Sequence, residues 1–579
     1  MSSQPGEATE SPASTPTAAK PSRLAVAILG ARRAIARNLA STFGVISERL
    51  GHNFREFLAE RQPLIWVLAA LVGVAVGYAA LGFRLAIGVF QLPWLWTASE
   101  RVVSAAAKVP WWNVLLAPMI GGLIVGFLLE RFVSGRRAHA VADVIEARAL
   151  RDCRIDVRTG LWSAFLAALS LGSGASLGRE GPVVHLGAML ASSIEDRFRL
   201  TPASRRALFA AGVAAAVSSS FNAPIAGVLF AHEVILGHYA LRALVPIVIA
   251  SVAGGIVSRL HFGNFAAFAV PEYQITTYWE FPAFVLLGVT CATVAVLFQV
   301  AIMLSERVVW RFDMPLWLRT GLGGLAVGAI ALVFPEVLGV GYETTDQALY
   351  RNLPLAMLLM LIVAKTAATA ISMSVRFAGG VFSPSLYLGA TTGAAFGIIA
   401  TSTFPDVGAS HGLYAILGMG AVAASVLGAP LSTTLICFEL TGGYSMTIAL
   451  LLTVSISVAL SQAVLGQSFF HWQLGKRGLF LQEGPHKSIM RRLMVSSFMT
   501  AAGNDEASAT RLDPASGSPW LLPSDTLERA LRAFDTTGAA RIAVVSEADT
   551  TVVIGHAERI QALNAFNRAL IDATVEEHR

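Results

Sequence analysis

The chain has 579 residues, of which 55% are hydrophobic and only 14% charged, with a mean hydropathy of +0.62. Soluble domains carry about 25% charged residues, so this composition excludes an ordinary soluble protein and points to lipid. The net charge of +6 comes with basic residues flanking an apolar core, a matter of membrane topology rather than of nucleic-acid binding.

Residues 1–62 read as an N-terminal tail and a cytoplasmic helix. The first 22 residues are rich in Ser, Pro, Ala and Thr and contain no apolar segment of the secretory kind, so a disordered tail is expected. Arg32, Arg33, Arg37, Arg49, Arg55 and Arg61 follow and predict a cytoplasmic N-terminus. Residues 63–480 form the expected membrane core. Its apolar runs include Leu64 to Ile87, Asn113 to Leu129, Leu355 to Ala370 and Ile448 to Leu465. A spanning helix needs roughly 20 apolar residues, and several stretches are shorter or broken by Gly and Pro, so many segments are expected to cross only partly. Lys476, Arg477, Lys487, Arg491 and Arg492 follow the last apolar run and predict a cytoplasmic C-terminus. Residues 481–579 are polar with alternating apolar stretches such as Arg541 to Val545, the pattern of a small α/β module. Cys153, Cys291 and Cys437 lack metal-ligand spacing and read as buried apolar thiols.

The core carries an internal repeat. One copy runs Gly178-Arg-Glu-Gly-Pro182-Val-Val-His-Leu-Gly187-Ala188, the other Gly380-Val-Phe-Ser-Pro384-Ser-Leu-Tyr-Leu-Gly389-Ala390. Ala223-Pro224 follows the first and Ala429-Pro430 the second, and Glu233 and Glu439 each stand nine positions after that proline. Gly-x-x-x-Pro breaks an apolar helix, and unwound backbone at membrane depth survives only where protein buries it or it lines a cavity. A proline near a helix start leaves free N–H groups at the positive dipole end. Two such ends brought together form an anion site without a full positive charge.

The run Gly172-Ser-Gly-Ala-Ser-Leu-Gly178-Arg-Glu-Gly-Pro182 resembles the signature of the CLC chloride channels and chloride/proton antiporters. Gly379-Gly-Val-Phe-Ser-Pro384 resembles their second anion-site motif, and the likeness extends through Phe221-Asn-Ala-Pro224 and Gly428-Ala-Pro430. It implies an all-α polytopic fold of broken and tilted helices in two inverted repeats, about 63–265 and 275–480. It also implies a homodimer with one anion pathway per subunit. Glu180 falls on the family's gating glutamate, whose carboxylate competes with anions and swings away when protonated; a salt bridge to a nearby base is the plainer reading. Gly178, Arg179 and Gly181 accompany it on the anion-binding segment. The amides of Val381 and Phe382 fall on the pair that holds the central anion, while the Phe382 ring reads equally as buried core. Lys365 matches a family lysine near the pathway; Ser163 stands where some members have a second.

Three departures from the pattern stand out. His139, in Ala138-His-Ala-Val-Ala142, takes the place of a serine that contacts the central anion, and either its ring N–H or a backbone amide serves there. Phe470, in Ser468-Phe-Phe-His-Trp, replaces a tyrosine, so weaker side-chain ligation is expected. Val234 replaces the cytoplasm-facing glutamate that relays protons in exchangers. Glu233 and His232 are the available substitutes, although Glu233, one residue earlier, points about 100° away on a helix, and a shared structural role with Glu439 is the plainer reading.

The expectation is therefore gated, channel-like chloride permeation, with chloride/proton antiport as the rival. A non-transporting scaffold or sensor is the more distant alternative. No enzyme chemistry, metal site or cofactor is expected in the core, and the membrane is expected to be the inner or plasma membrane. The C-terminal residues Val495 to Thr500, Thr526 to Phe534, Arg541 to Val545 and Gly555 to Arg559 resemble a single CBS-type module. Such modules bind adenine nucleotides as pairs, so a ligand here would require pairing across a dimer; a packing domain without ligand is the other reading.

Overall fold

The computed structural model describes residues 61–263, 280–403, 411–479 and 490–578, save 134, 199, 351, 442–443, 491–492 and 502–518. The expected N-terminal tail and helix lie almost wholly outside these residues, as do Lys487, Arg491 and Arg492. Residues 1–64 form one unit, and everything below concerns the other, residues 65–579, together with the first helix that leads into it.

The first half of the core runs through α1 (Gln62–Leu95), the short α2 (Val102–Ala106), α3 (Trp111–Phe132), α4 (Val141–Leu150), α5 (Val157–Gly172) and α6 (Glu180–Phe198). It continues with α7 (Pro202–Phe221), α8 (Pro224–Phe230), a π turn at Ala231–Leu236, and α9 (Leu241–Phe262). The second half repeats the plan. It consists of α10 (Phe281–Val309), α11 (Leu316–Val333), α12 (Tyr342–Leu349), α13 (Leu355–Ser374) and α14 (Phe382–Thr403), then α15 (His411–Leu427), α16 (Pro430–Thr441), α17 (Tyr444–Leu465) and the short α18 (Phe469–Gly475). The four apolar runs read from the sequence fall inside α1, α3, α13 and α17. Among the described residues, seven helices are long and apolar enough to cross a membrane, while α8, α15 and α16 are apolar but shorter.

The duplication is visible in the packing. Within the first half α6 packs on α7, and within the second α14 packs on α15. In each pair backbone meets backbone at glycine. A Cβ on Gly187 would strike the carbonyl of Gly212, and a Cβ on Gly389 would strike that of Gly418. Small residues at such crossings let membrane helices approach closely. The chain then turns the same way twice. Asn222 (φ 57°) ends α7 in the left-handed region, and Gly428 (φ 70°) does the same after α15. These are the residue types that tolerate that conformation. Ala-Pro follows each and starts the next helix, with proline at a position whose N–H has no intrahelical partner.

The C-terminal part carries β1 (Thr500–Ala501), β2 (Trp520–Leu521), α19 (Leu527–Thr537), β3 (Arg541–Val545), β4 (Val553–Glu558) and α20 (Arg559–His578). The sheet order is β1-β4-β3-β2, with β2 parallel to β3 and the other pairs antiparallel. Leu527, Ala530 and Phe534 form the buried stripe of α19 and pack with Leu521, Ile542, Val544 and Ala557 in a core of their own.

Candidate functional site

The two glycine motifs meet. Gly178 donates to the Gly380 carbonyl at 2.7 Å, and Gly380 returns the bond to the Gly178 carbonyl at 2.9 Å, an isolated antiparallel bridge between the repeats. Two residues beyond each glycine a helix begins, α6 at Glu180 and α14 at Phe382. The bridge thus sets the starts of two helices side by side. A Cβ at Gly178 would lie 2.9 Å from Glu180 Oε2, 2.9 Å from Ser383 N and 3.2 Å from Gly380 O, so this position admits only glycine.

Glu180 is buried, and its carboxylate is held across the repeat boundary. Ser383 Oγ lies 2.6 Å from both Oε1 and Oε2. Tyr342 Oη donates to Oε1 at 2.7 Å. Among the described residues the Glu180 carboxylate is held by hydroxyls rather than by a base, and the neighbouring arginine pairs elsewhere: Arg179 Nη1 donates to Glu100 Oε1 at 2.6 Å. The Arg179 guanidinium also lies 4.7 Å over the Tyr342 ring.

Val381 and Phe382 are buried at the start of α14, where helix geometry leaves the first amides without intrahelical acceptors. The Phe382 ring packs at 5.0 Å from Phe221 and 6.1 Å from Phe230, so its side chain is core while its backbone is at the site. Lys365 lies one layer out. Its Nζ donates to the carbonyls of Val337 and Gly339, both at 3.0 Å, and sits 5.0 Å over the Tyr387 ring. It fastens the turn that leads through Gly341 to Tyr342, the residue that donates to Glu180.

A cavity of about 90 Å³ is lined among others by Arg137, His139, Asp143, Arg376, Phe469 and Arg477. The His139 ring meets His185 edge-on at 5.5 Å. Its backbone amide donates to Ser163 Oγ at 3.1 Å and the next amide, Ala140, to Asp143 Oδ2 at 2.9 Å. The backbone amides of His139 and Ala140 are thus both engaged within the loop. Ser163, where a second lysine was considered, is a hydrogen-bond acceptor for this loop. Phe470 is buried beside Phe469, with ring centroids 6.4 Å apart; Phe469 is the one that lines the cavity.

The two glutamates of the repeat cap each other's helices. Glu233 accepts from Leu431 N at 3.0 Å and Ser432 N at 2.8 Å, and also from the Ser432 hydroxyl. Glu439 accepts from Ile225 N at 2.9 Å and Ala226 N at 2.7 Å. Each carboxylate thus satisfies the orphan donors at the proline-started helix of the opposite repeat, the favourable place for negative charge. His232 is bonded through Nδ1 to Val228 O at 2.9 Å and stacks on Tyr239 at 5.8 Å. Val234 is buried in the π turn between them.

A sequence model described as voltage gated chloride channel matches residues 121–462. The chain belongs to the CLC family. It is 34% identical over 389 residues to a ClcB-like chloride channel protein of Ralstonia nicotianae, covering 66% of this chain and 90% of that one. It is 31% identical to the chloride channel protein CLC-f of Arabidopsis thaliana over 70% of this chain and 55% of that longer protein. It is also 29% identical to the H+/Cl− exchange transporter ClcA of Yersinia pestis over 74% of this chain and 91% of the relative. A slow cyanobacterial Cl−/H+ antiporter superposes with a TM-score of 0.64 at 22% identity, over 72% of this chain and 99% of the antiporter, a likeness of fold. This CLC protein is thus an integral membrane protein of chloride transport.

Sequence reasoning missed Tyr342, Glu100 and Arg84. Ser383 stood inside a quoted motif, and its hydroxyl is the signal that could have been used. Tyr342 had a weaker one, the Gly339-Val-Gly341 turn immediately before it; Glu100 and Arg84 had none.

Proposed function

We propose that this CLC protein conducts chloride or a similar small anion down its gradient, with the Glu180 carboxylate as gate and without stoichiometric proton exchange. The observation that carries the gate is the seat of that carboxylate, buried between the starts of α6 and α14 and held by the Tyr342 and Ser383 hydroxyls. A carboxylate there occupies the room and the donors that a permeant anion needs. Protonation removes its charge and with it the strengthening of both O–H contacts, so the seat empties and an anion enters. Helix starts rather than a lysine then attract the anion, which allows quick release.

Three residues support the absence of coupling. Val234 binds no proton. Both Glu233 oxygens accept from α16, and His232 is bonded and stacked, so neither substitute is at liberty to relay. Exchange is the second reading, favoured by the relative named as an exchange transporter. The same proposal includes a homodimer and cytoplasmic termini. It reads residues 481–579 as a CBS-type module, supported by the order β2, α19, β3, β4, α20, whose pairing across the dimer would create any adenine-nucleotide site.

The gate is tested by Glu180→Gln in reconstituted liposomes. Flux at neutral pH is expected to rise about tenfold or more, equivalent to ~1.4 kcal/mol or more of barrier, and to lose its increase on acidification. A variant that keeps the wild-type pH profile overturns the gate.

A further inference from the structure

On the Glu100 side of the bridge, two arginines converge on one carboxylate. Arg84, on α1, donates through Nε at 2.5 Å to Glu100 Oε1 and through Nη2 at 2.7 Å to Oε2, a two-pronged fork. Arg179, next to the gate residue in sequence, adds its bond to Oε1. Beside them lies a small pocket of about 20 Å³, lined by both arginines and by Ser219, Ser220, Ser258 and Phe262 among others. Two guanidiniums against one carboxylate leave this trio with one positive charge in excess. The Arg179 side chain is 9% exposed and fixed against Tyr342, whereas that of Glu100 is 40% exposed and stands in the loop between α1 and α2.

We propose that Arg84 and Arg179 form an anion-capture site at this mouth of the pathway, and that the Glu100 carboxylate is its displaceable resident. A carboxylate held by two N–H prongs is the geometric stand-in for a small monovalent anion, and a halide or a planar oxyanion takes the same donors. Glu100 swings out on its loop when the transported anion arrives, without moving a helix. The anion then lies beside Arg179, one residue from the Glu180 seat. Burial by itself raises the Glu100 carboxyl, but Arg179 and Arg84 hold it down at about 2. It therefore stays charged across the physiological range and acts as a charge competitor, not as a proton switch. This rests on chloride transport by the family and not on the gate reading.

The test measures flux against chloride concentration in proteoliposomes, in the Glu180→Gln background so that the gate does not contribute. Glu100→Gln removes the competitor and is expected to lower the half-saturating chloride concentration about tenfold, the lower end of what focused charge at a cleft achieves. Arg84→Gln is expected to raise it. The double variant Glu100→Gln with Arg84→Gln, which restores the charge balance, should return toward the starting value, and Glu100→Asp should stay near it. If Glu100 serves only to anchor its loop, Glu100→Gln lowers maximal flux and thermal stability while half-saturation stays put, and the proposal is overturned. Should Glu180→Gln itself leave flux unchanged, the gate reading fails, and the Glu100 series is still read by its own concentration dependence.

Discussion

The two repeats share a frame and differ in what they hang on it. Each supplies a glycine to the bridge, Gly178 and Gly380, a glycine crossing behind the broken helix, and a left-handed residue before an Ala-Pro start. Each also lends a glutamate to the other's helix, Glu233 to α16 and Glu439 to α8. At the centre the symmetry ends. The first repeat places Arg179 and Glu180 there; the second places Val381, Phe382 and Ser383. Duplication explains how two helix starts come to face each other. The gate requires the divergence: a carboxylate on one side and a hydroxyl clamp on the other.

The largest expected effect comes from breaking the clamp. Hydrogen bonds to charged groups contribute about 1.5–3 kcal/mol. The two hydroxyls stabilise the charged, closed form of Glu180. Removing either by Ser383→Ala or Tyr342→Phe should therefore destabilise the closed form and raise flux at neutral pH about tenfold, equivalent to ~1.4 kcal/mol. A fall in flux at neutral pH in a folded variant would contradict the clamp. The next effect tests the symmetric part. Glu233→Gln and Glu439→Gln each weaken a cap across the repeat boundary, at a cost of about 1 kcal/mol. Both should lower the thermal unfolding midpoint by similar amounts and leave the pH–flux curve where it was. A selective loss of pH response in Glu233→Gln would make that residue a relay and break the equivalence. The smallest effect concerns Phe470→Tyr. One added O–H donor, worth ~1 kcal/mol, should tighten chloride or bromide binding about fivefold by calorimetry. No change would remove Phe470 from the anion's surroundings.

The legible part of this molecule was the part written in backbone chemistry. Gly, Pro and the Ala-Pro starts dictate where helices break, so the repeat and its motif glycines could be read in order, and Glu180 with them. What could not be read was which side chains meet across the repeat boundary. Tyr342 stands 162 positions from Glu180, and Glu100 stands 79 from Arg179; no local pattern encodes such a pairing. Glu233 is the instructive case. Its position relative to Val234 invited a proton role, whereas its three donors lie on the other repeat, nearly 200 residues on.

Proton coupling tests the central claim most directly. Wild-type protein in liposomes is given an outward chloride gradient, equal pH on both sides, and a potassium ionophore to clamp the voltage, with no proton ionophore, while chloride and pH are recorded together. Uncoupled conduction through the Glu180 gate predicts chloride efflux with no proton uptake above that of empty liposomes. Protons moving inward in a fixed ratio to chloride would contradict it.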